Sequence, residues 1–138
     1  MIMIEITDKK IEVQKVIDAV RSPDCGAVSV FIGTVRNHSK NRDVNALEYE
    51  VYGKMAEKMI QKIIEEIRSK WEVNKVAVSH RMGKMEVGEI TVAIAVSSPH
   101  RKDSIPSCQY AIDRLKEIVP IWKKEYAVDG ASWVEPHA

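Results

Sequence analysis

GEITVAIAVSS, residues Gly88–Ser98, decides the fold. Ile90, Val92, Ile94 and Val96 alternate with Thr91, Ala93, Ala95 and Ser97, so an extended strand here has one bulky face and one small face. The small face suits close packing under a helix. Upstream, Val73–His80 reads as another strand, and Arg81–Glu86 between the two is rich in turn formers. Before these lies the clearest helix, Lys54–Trp71. Met55, Met59, Ile60, Ile63, Ile64, Ile67 and Trp71 recur at helical spacing with Glu and Lys between them. Gly53 separates that helix from a strand over Val44–Tyr52.

The N-terminal third follows the same logic. Met1–Thr7 suits a short strand. Asp8 is placed to cap a helix reaching about Val20, with Val13, Val16, Ile17 and Val20 on its apolar stripe, and Ser22-Pro23-Asp24 ends it. Gly26–Val35 reads as a buried strand, rich in Val, Ile and Phe, and the polar Arg36–Asp43 as an exposed loop. Downstream of Ser98, Asp103 or Ser104 starts a helix to Val119. Ile105, Cys108, Ile112, Leu115 and Ile118 or Val119 point inward, Pro106 sits in the first turn, and Pro120 ends the helix. Ile121–Val128 and Ala131–Val134 flank Asp129-Gly130, a hairpin signal. Helices and strands are interspersed and hairpins frequent, which predicts an α+β fold with a mainly antiparallel sheet and packed helices.

The chain has 138 residues, 45% hydrophobic and 30% charged, with a formal charge of +1. That composition fits one globular domain over residues 1–138. The near-zero charge and lack of aromatic interleaving weigh against a nucleic-acid-binding domain. Neither a signal peptide nor an apolar membrane span is visible, so a cytoplasmic, reduced protein is expected. Cys25 and Cys108 lie far apart and outside any C-x-x-C. Cys108 falls on a core position of its helix and reads as a small buried hydrophobe.

Four basic clusters sit at element ends: Arg36-Asn37-His38, His100-Arg101-Lys102, Lys116 and Lys123-Lys124. Arg36 and Arg101 offer planar forks for phosphate or carboxylate, and His100 can donate hydrogen bonds or move a proton. If Ile121–Val128 is a strand, Trp122, Lys124 and Tyr126 share one face, and Lys123 and Glu125 the other. Taken singly, each cluster reads as solvated surface charge; only convergence in space makes a site. A Gly-rich phosphate loop is missing, and His38, His80, His100 and His137 lack metal-ligand spacing, so no metal is expected.

Five segments together resemble the MoaE family, the large subunit of molybdopterin synthase. They are GAVSVFIGTVRNH (26–38), VNALEYEVYGKM (44–55), HRMGKMEVG (80–88), AVSSPHRK (95–102) and YAIDRLKEIVPIWKKEYAVDGASWV (110–134). They span most of the chain in the right order. V-R-N-H, H-R, L-K and W-K-K-E at these separations carry the resemblance; none would do so alone.

The resemblance implies an α/β-hammerhead-like fold and a homodimer within a heterotetramer. Each large subunit is then expected to bind a small ubiquitin-like carrier whose C-terminal Gly-Gly ends in a thiocarboxylate. Two carriers deliver two sulfurs to cyclic pyranopterin monophosphate, and no cofactor is implied for the chain itself. Lys116 matches the family's catalytic Lys and Lys123 a supporting one. Arg36, with its neighbours Thr34 and Val35, matches the substrate-contacting turn after the second strand. His100 and Arg101 match a phosphate- or pterin-binding pair, and Lys123, Lys124 and Glu125 the W-K-[KR]-E segment. Partial burial of Lys116 among Ile112, Leu115 and Val119 is expected to suit it to proton donation, and Glu125 to hold Lys123 as a charged anchor. Thr34 stands where many relatives carry Lys. The competing reading is a non-catalytic module that docks a ubiquitin-like protein.

Overall fold

The fold is described from a computed structural model covering residues 2–39, 42–127 and 130–134. Its elements run β1 (Ile2–Thr7), α1 (Val13–Val20), β2 (Ala27–Thr34), β3 (His38–Ser39), β4 (Arg42–Val51), α2 (Gly53–Lys70), β5 (Val76–Arg81), β6 (Gly83–Glu86), β7 (Ile90–Ser98), α3 (Arg101–Ile118), β8 (Ile121–Ala127) and β9 (Gly130–Val134). The α+β class holds. One sheet has the order β1-β5-β7-β2, parallel only between β1 and β5. The other joins β3, β4, β8 and β9, with β6 also on β4.

The two-faced strand sits inside the first sheet as β7. Val92, Ile94 and Val96 pack with Ile60, Ile64 and Ile67 of α2 and with Ile112 and Leu115 of α3. On the small face, Ala93 and Ala95, with Ala77 of β5, receive Val16 and Val20 of α1. Each such buried Ile or Val stabilises the fold by about 1.5–3 kcal/mol. One residue breaks the alternation. Gly33 pairs with Val92 but Thr34 pairs with Ile90, leaving Thr91 as an extra residue. This bulge turns Ile90 onto the α1 side, so the bulky face keeps three of its four expected members.

Several expectations are corrected. β2 is an edge strand: Phe31 packs into the core, but Val28, Val30 and Ile32 are 38%, 38% and 42% exposed. Helix α1 begins at Val13 rather than after Asp8. The Lys9 N–H instead bonds Thr7 Oγ1 at 3.1 Å, and Ile11 reaches the core before the helix starts. Within the polar Arg36–Asp43 stretch, β3 pairs with the start of β4, and Arg81–Glu86 contains β6. Gly53 opens α2 rather than merely preceding it. Met55 and Ile105 are 50% and 58% exposed, with Ala56, Ser104 and Ala111 buried in their helices instead. Helix α3 starts at Arg101, which puts Pro106 in its second turn, where the ring removes one helical hydrogen bond. The hairpin is found as β8 and β9, with Ala127 paired to Gly130 at φ +116°; Val128 and Asp129 lie outside the described residues.

His80, on β5, is 4% exposed. Its Nδ1–H donates to the Arg81 carbonyl at 2.8 Å, and Tyr49 stands edge-on at 5.3 Å. Burial lowers its pKa from 6.5 to about 4, against a smaller opposing effect of that hydrogen bond. The unfolded chain therefore takes up a proton near 6.5 that the folded chain refuses until about 4. Stability is lost as pH falls through this window, by up to about 3 kcal/mol. Glu66, held at about 2 first by Arg114 and then by Tyr110, loses its contribution only in a lower range. Thermal melts from about pH 7 down to pH 4.5 should show a falling Tm, most of whose slope disappears in His80→Asn. An unchanged slope in the variant would assign it to other groups.

Candidate active site

Three separate elements deliver basic side chains to one cleft of about 440 Å³. Thr34 and Arg36 come from the end of β2, Lys116 from the last turn of α3, and Lys123 with Glu125 from β8. Phe31, Leu47, Leu115 and Ile121 supply apolar wall, and Tyr49, His80 and Thr91 a polar inner surface.

Local sequence explains each placement. β8 alternates, so Lys123 and Glu125 face the cleft beside Tyr49 and Leu47, their partners on β4. Pro120 stops α3 just beyond Lys116, and the Val119 N–H closes the helix on the Leu115 carbonyl at 3.1 Å. The Thr91 bulge sends a hydroxyl into the cleft instead of the core.

The electrostatics centre on Tyr49. Burial holds its phenol above the ordinary value of 10, opposed by a hydrogen bond from Thr91. Glu125 adds to the rise and Arg36 opposes it, so both charges act on one ring. Glu125 is 3% exposed, a buried carboxylate in a cleft lined by cations. Lys123 is half-buried. Lys116 is exposed, contrary to the partial burial expected among Ile112, Leu115 and Val119. The apolar neighbours pack inward from the helix while position 116 turns to the cleft mouth.

Four expected site residues lie elsewhere in the chain. Val35 is buried with Val44, Leu47 and Met85, and its N–H and carbonyl are engaged by the Glu89 carbonyl and the Gly88 N–H at 3.0 and 2.9 Å. Lys124 is on the opposite face of β8, 5.4 Å from the Tyr126 ring, which Lys84 approaches at 4.4 Å. His100 and Arg101 line a separate depression with Ile105 and Pro106. That end of α3 is stitched to the start of β2. The Gly26 N–H donates to the Pro99 carbonyl at 3.2 Å, an approach that leaves no room for a Cβ, and Ser29 Oγ donates to Ser104 Oγ at 2.8 Å.

Tyr49, His80 and Thr91 also line the cleft without a sequence signal that marks them as site residues. The first two look like ordinary strand residues in sequence, and only the bulge brings Thr91 to the cleft. Neither cysteine lines it. Cys108 is buried, and burial pushes its thiol up to about 11, away from nucleophilic use.

A family model described as MoaE protein matches residues 6–118. A molybdopterin synthase catalytic subunit from Halalkalibacterium halodurans is 49% identical over 129 residues, covering 94% of this chain and 83% of that protein. A solved molybdopterin synthase from Staphylococcus aureus superposes with a TM-score of 0.90 at 45% identity, covering 94% of this chain and 95% of that one. The fold is also shared with a complex of subunits 1 and 2 of molybdopterin-converting factor from Helicobacter pylori, at TM-score 0.76 and 18% identity, over 97% of this chain and 90% of that one.

Proposed function

The chain belongs to the MoaE family, that of the molybdopterin synthase catalytic subunits of molybdenum cofactor biosynthesis, and on that premise we propose that its Arg36–Lys116–Lys123 cleft moves sulfur from a thiocarboxylated small subunit onto cyclic pyranopterin monophosphate. The carrying observation is the convergence of those three cations, from the end of β2, the end of α3 and β8, on one cleft. A cyclic phosphate and a thiocarboxylate are both anions. Neither approaches the other unless fixed positive charge offsets their repulsion.

The carrier's thiocarboxylate sulfur bonds to a side-chain carbon of the pterin as the bond from that carbon to a phosphate oxygen breaks. Charge builds on the leaving oxygen, where the Lys116 ammonium stabilises it. Water then cleaves the acyl–sulfur bond, leaving sulfur on the substrate and an ordinary carboxylate on the carrier. A second carrier delivers its sulfur to the neighbouring side-chain carbon, from which an oxygen leaves as water, so the phosphate stays attached through its remaining ester bond. Lys123, beside buried Glu125, anchors the anionic tail, and Arg36 holds the phosphate with its planar fork. Sulfur arrives on the partner, so no cysteine of this chain takes part.

His100 and Arg101 serve the cleft of a second copy in this reading. Among the described residues β2 pairs only with β7, and its outward row is the exposed Val28, Val30 and Ile32. A two-fold axis pairs an edge strand with its copy antiparallel. The Ala27 end, to which His100 and Arg101 are stitched, then meets the Thr34 end of the other copy. Mixing Arg101→Ala subunits with Lys116→Ala subunits tests this. Each alone should be nearly inactive, whereas random re-pairing should restore about a quarter of wild-type turnover, since half the dimers hold one intact site. No recovery on mixing would place Arg101 and Lys116 in the same subunit's site.

A further inference from the structure

HRMGKMEVG has no part in the chemistry above, yet an ion pair between its Arg81 and the residue that follows it, Glu89, has a direct backbone route to the cleft. Arg81 Nη1 donates to Glu89 Oε1 at 2.8 Å, with side chains only 13% and 26% exposed. The other carboxylate oxygen, Oε2, accepts the Glu86 N–H at 2.8 Å. The Glu89 N–H closes the same turn on the Glu86 carbonyl at 3.1 Å, with Gly88 at φ +90°. Both outward-facing backbone groups of this turn grip Val35: its N–H donates to the Glu89 carbonyl at 3.0 Å, and its carbonyl accepts the Gly88 N–H at 2.9 Å. On the far side, the Asn37 carbonyl accepts the Val44 N–H at 2.7 Å. Arg36 is thus the one residue between two pinned neighbours, and its side chain lines the cleft.

We propose that the Arg81–Glu89 pair is a positioning device that aims Arg36 at the substrate's anion through the backbone of Val35. The pair touches no substrate. It rigidifies the Glu86–Glu89 turn and ties it to Arg81 at the end of β5, in the first sheet, so the segment carrying Arg36 cannot drift. Among the described residues the Arg81 side chain hydrogen-bonds to Glu89, and its Nε is buried without a partner. Glu89 is held ionised by the Glu86 N–H and then by Arg81, which keep its carboxyl below the usual range. This role rests on the reading that Arg36 binds the substrate.

The test uses the complete synthase with thiocarboxylated carrier and cyclic pyranopterin monophosphate. Glu89→Gln keeps the shape but cannot accept from both the Glu86 N–H and Arg81, because one of its two terminal atoms is now a donor. Expected is a rise of about tenfold in KM for the pterin, with kcat changed less than about twofold. Arg81→Lys keeps the charge but loses the fork and should shift KM the same way, which covers the case in which one variant folds poorly. In an Arg36→Ala background, already raised in KM, Glu89→Gln should add less than about twofold. Additive losses, a fall in kcat alone or an unchanged KM would overturn the proposal. If Arg36→Ala itself leaves KM unchanged, the substrate-binding role of Arg36 fails as well, and the positioning role with it.

Discussion

Replacing Lys116 by alanine is expected to slow single-turnover sulfur transfer by about 10²–10³-fold, the usual cost of removing one preorganised charge aimed at a developing oxyanion. The structure puts this ammonium at the end of α3, facing a cleft it shares with Arg36 and Lys123. It is exposed rather than sunk among its apolar neighbours, which favours a charge that stays fixed over one that gives up a proton. Lys116→Arg separates the two roles. A guanidinium supplies charge but does not release its proton in the working range, so the variant should recover to within about tenfold of wild type. If arginine is as inactive as alanine while pterin affinity holds, proton donation by Lys116 is the step being lost.

Removing the last two glycines of the carrier should abolish turnover, by more than about 10³-fold, while the two proteins still associate. An extended chain advances about 3.3 Å per residue, so the shortened tail leaves its sulfur roughly 7 Å short of the substrate. A misplacement of even 1 Å can cost about 10²-fold in a positioned reaction. Docking draws on the globular surface of the carrier, which the deletion leaves alone. Retained association with lost turnover supports insertion of the tail into the cleft; full activity from the truncated carrier would end that model.

The parts of the fold legible in sequence were those whose side chains report their own surroundings. α2 and the inward stripe of α3 carry helical periodicity, and β7 alternates bulky and small residues because different helices cover its two faces. β2 is an edge rather than a buried strand, because apolar content does not reveal whether anything packs on it. β3 and β6 are not legible in sequence, because such short strands are held by backbone pairing, which leaves no apolar pattern. The Thr91 bulge depends on the partner strand and has no local mark.

The site divides in the same way. Alternation in β8 correctly put Lys123 and Glu125 on one face and Lys124 on the other. The meeting of Arg36, Lys116 and Lys123 depends on chain topology, so composition and spacing could not supply it; only the family resemblance grouped them. The same resemblance included Val35, Lys124, His100 and Arg101, which lie outside the cleft in this chain. A sequence motif groups residues without giving their positions in space.

The most direct measurement is the sulfur content of the pterin after this chain is combined with thiocarboxylated carrier and cyclic pyranopterin monophosphate. Mass spectrometry of the product should find two sulfurs per pterin and an opened cyclic phosphate, with the carrier returned as its carboxylate, and Lys116→Ala should form this product about 10²–10³-fold more slowly. Recovery of unchanged pterin from a stable, saturated complex with the carrier would contradict the account and leave a protein that docks its partner without performing the chemistry.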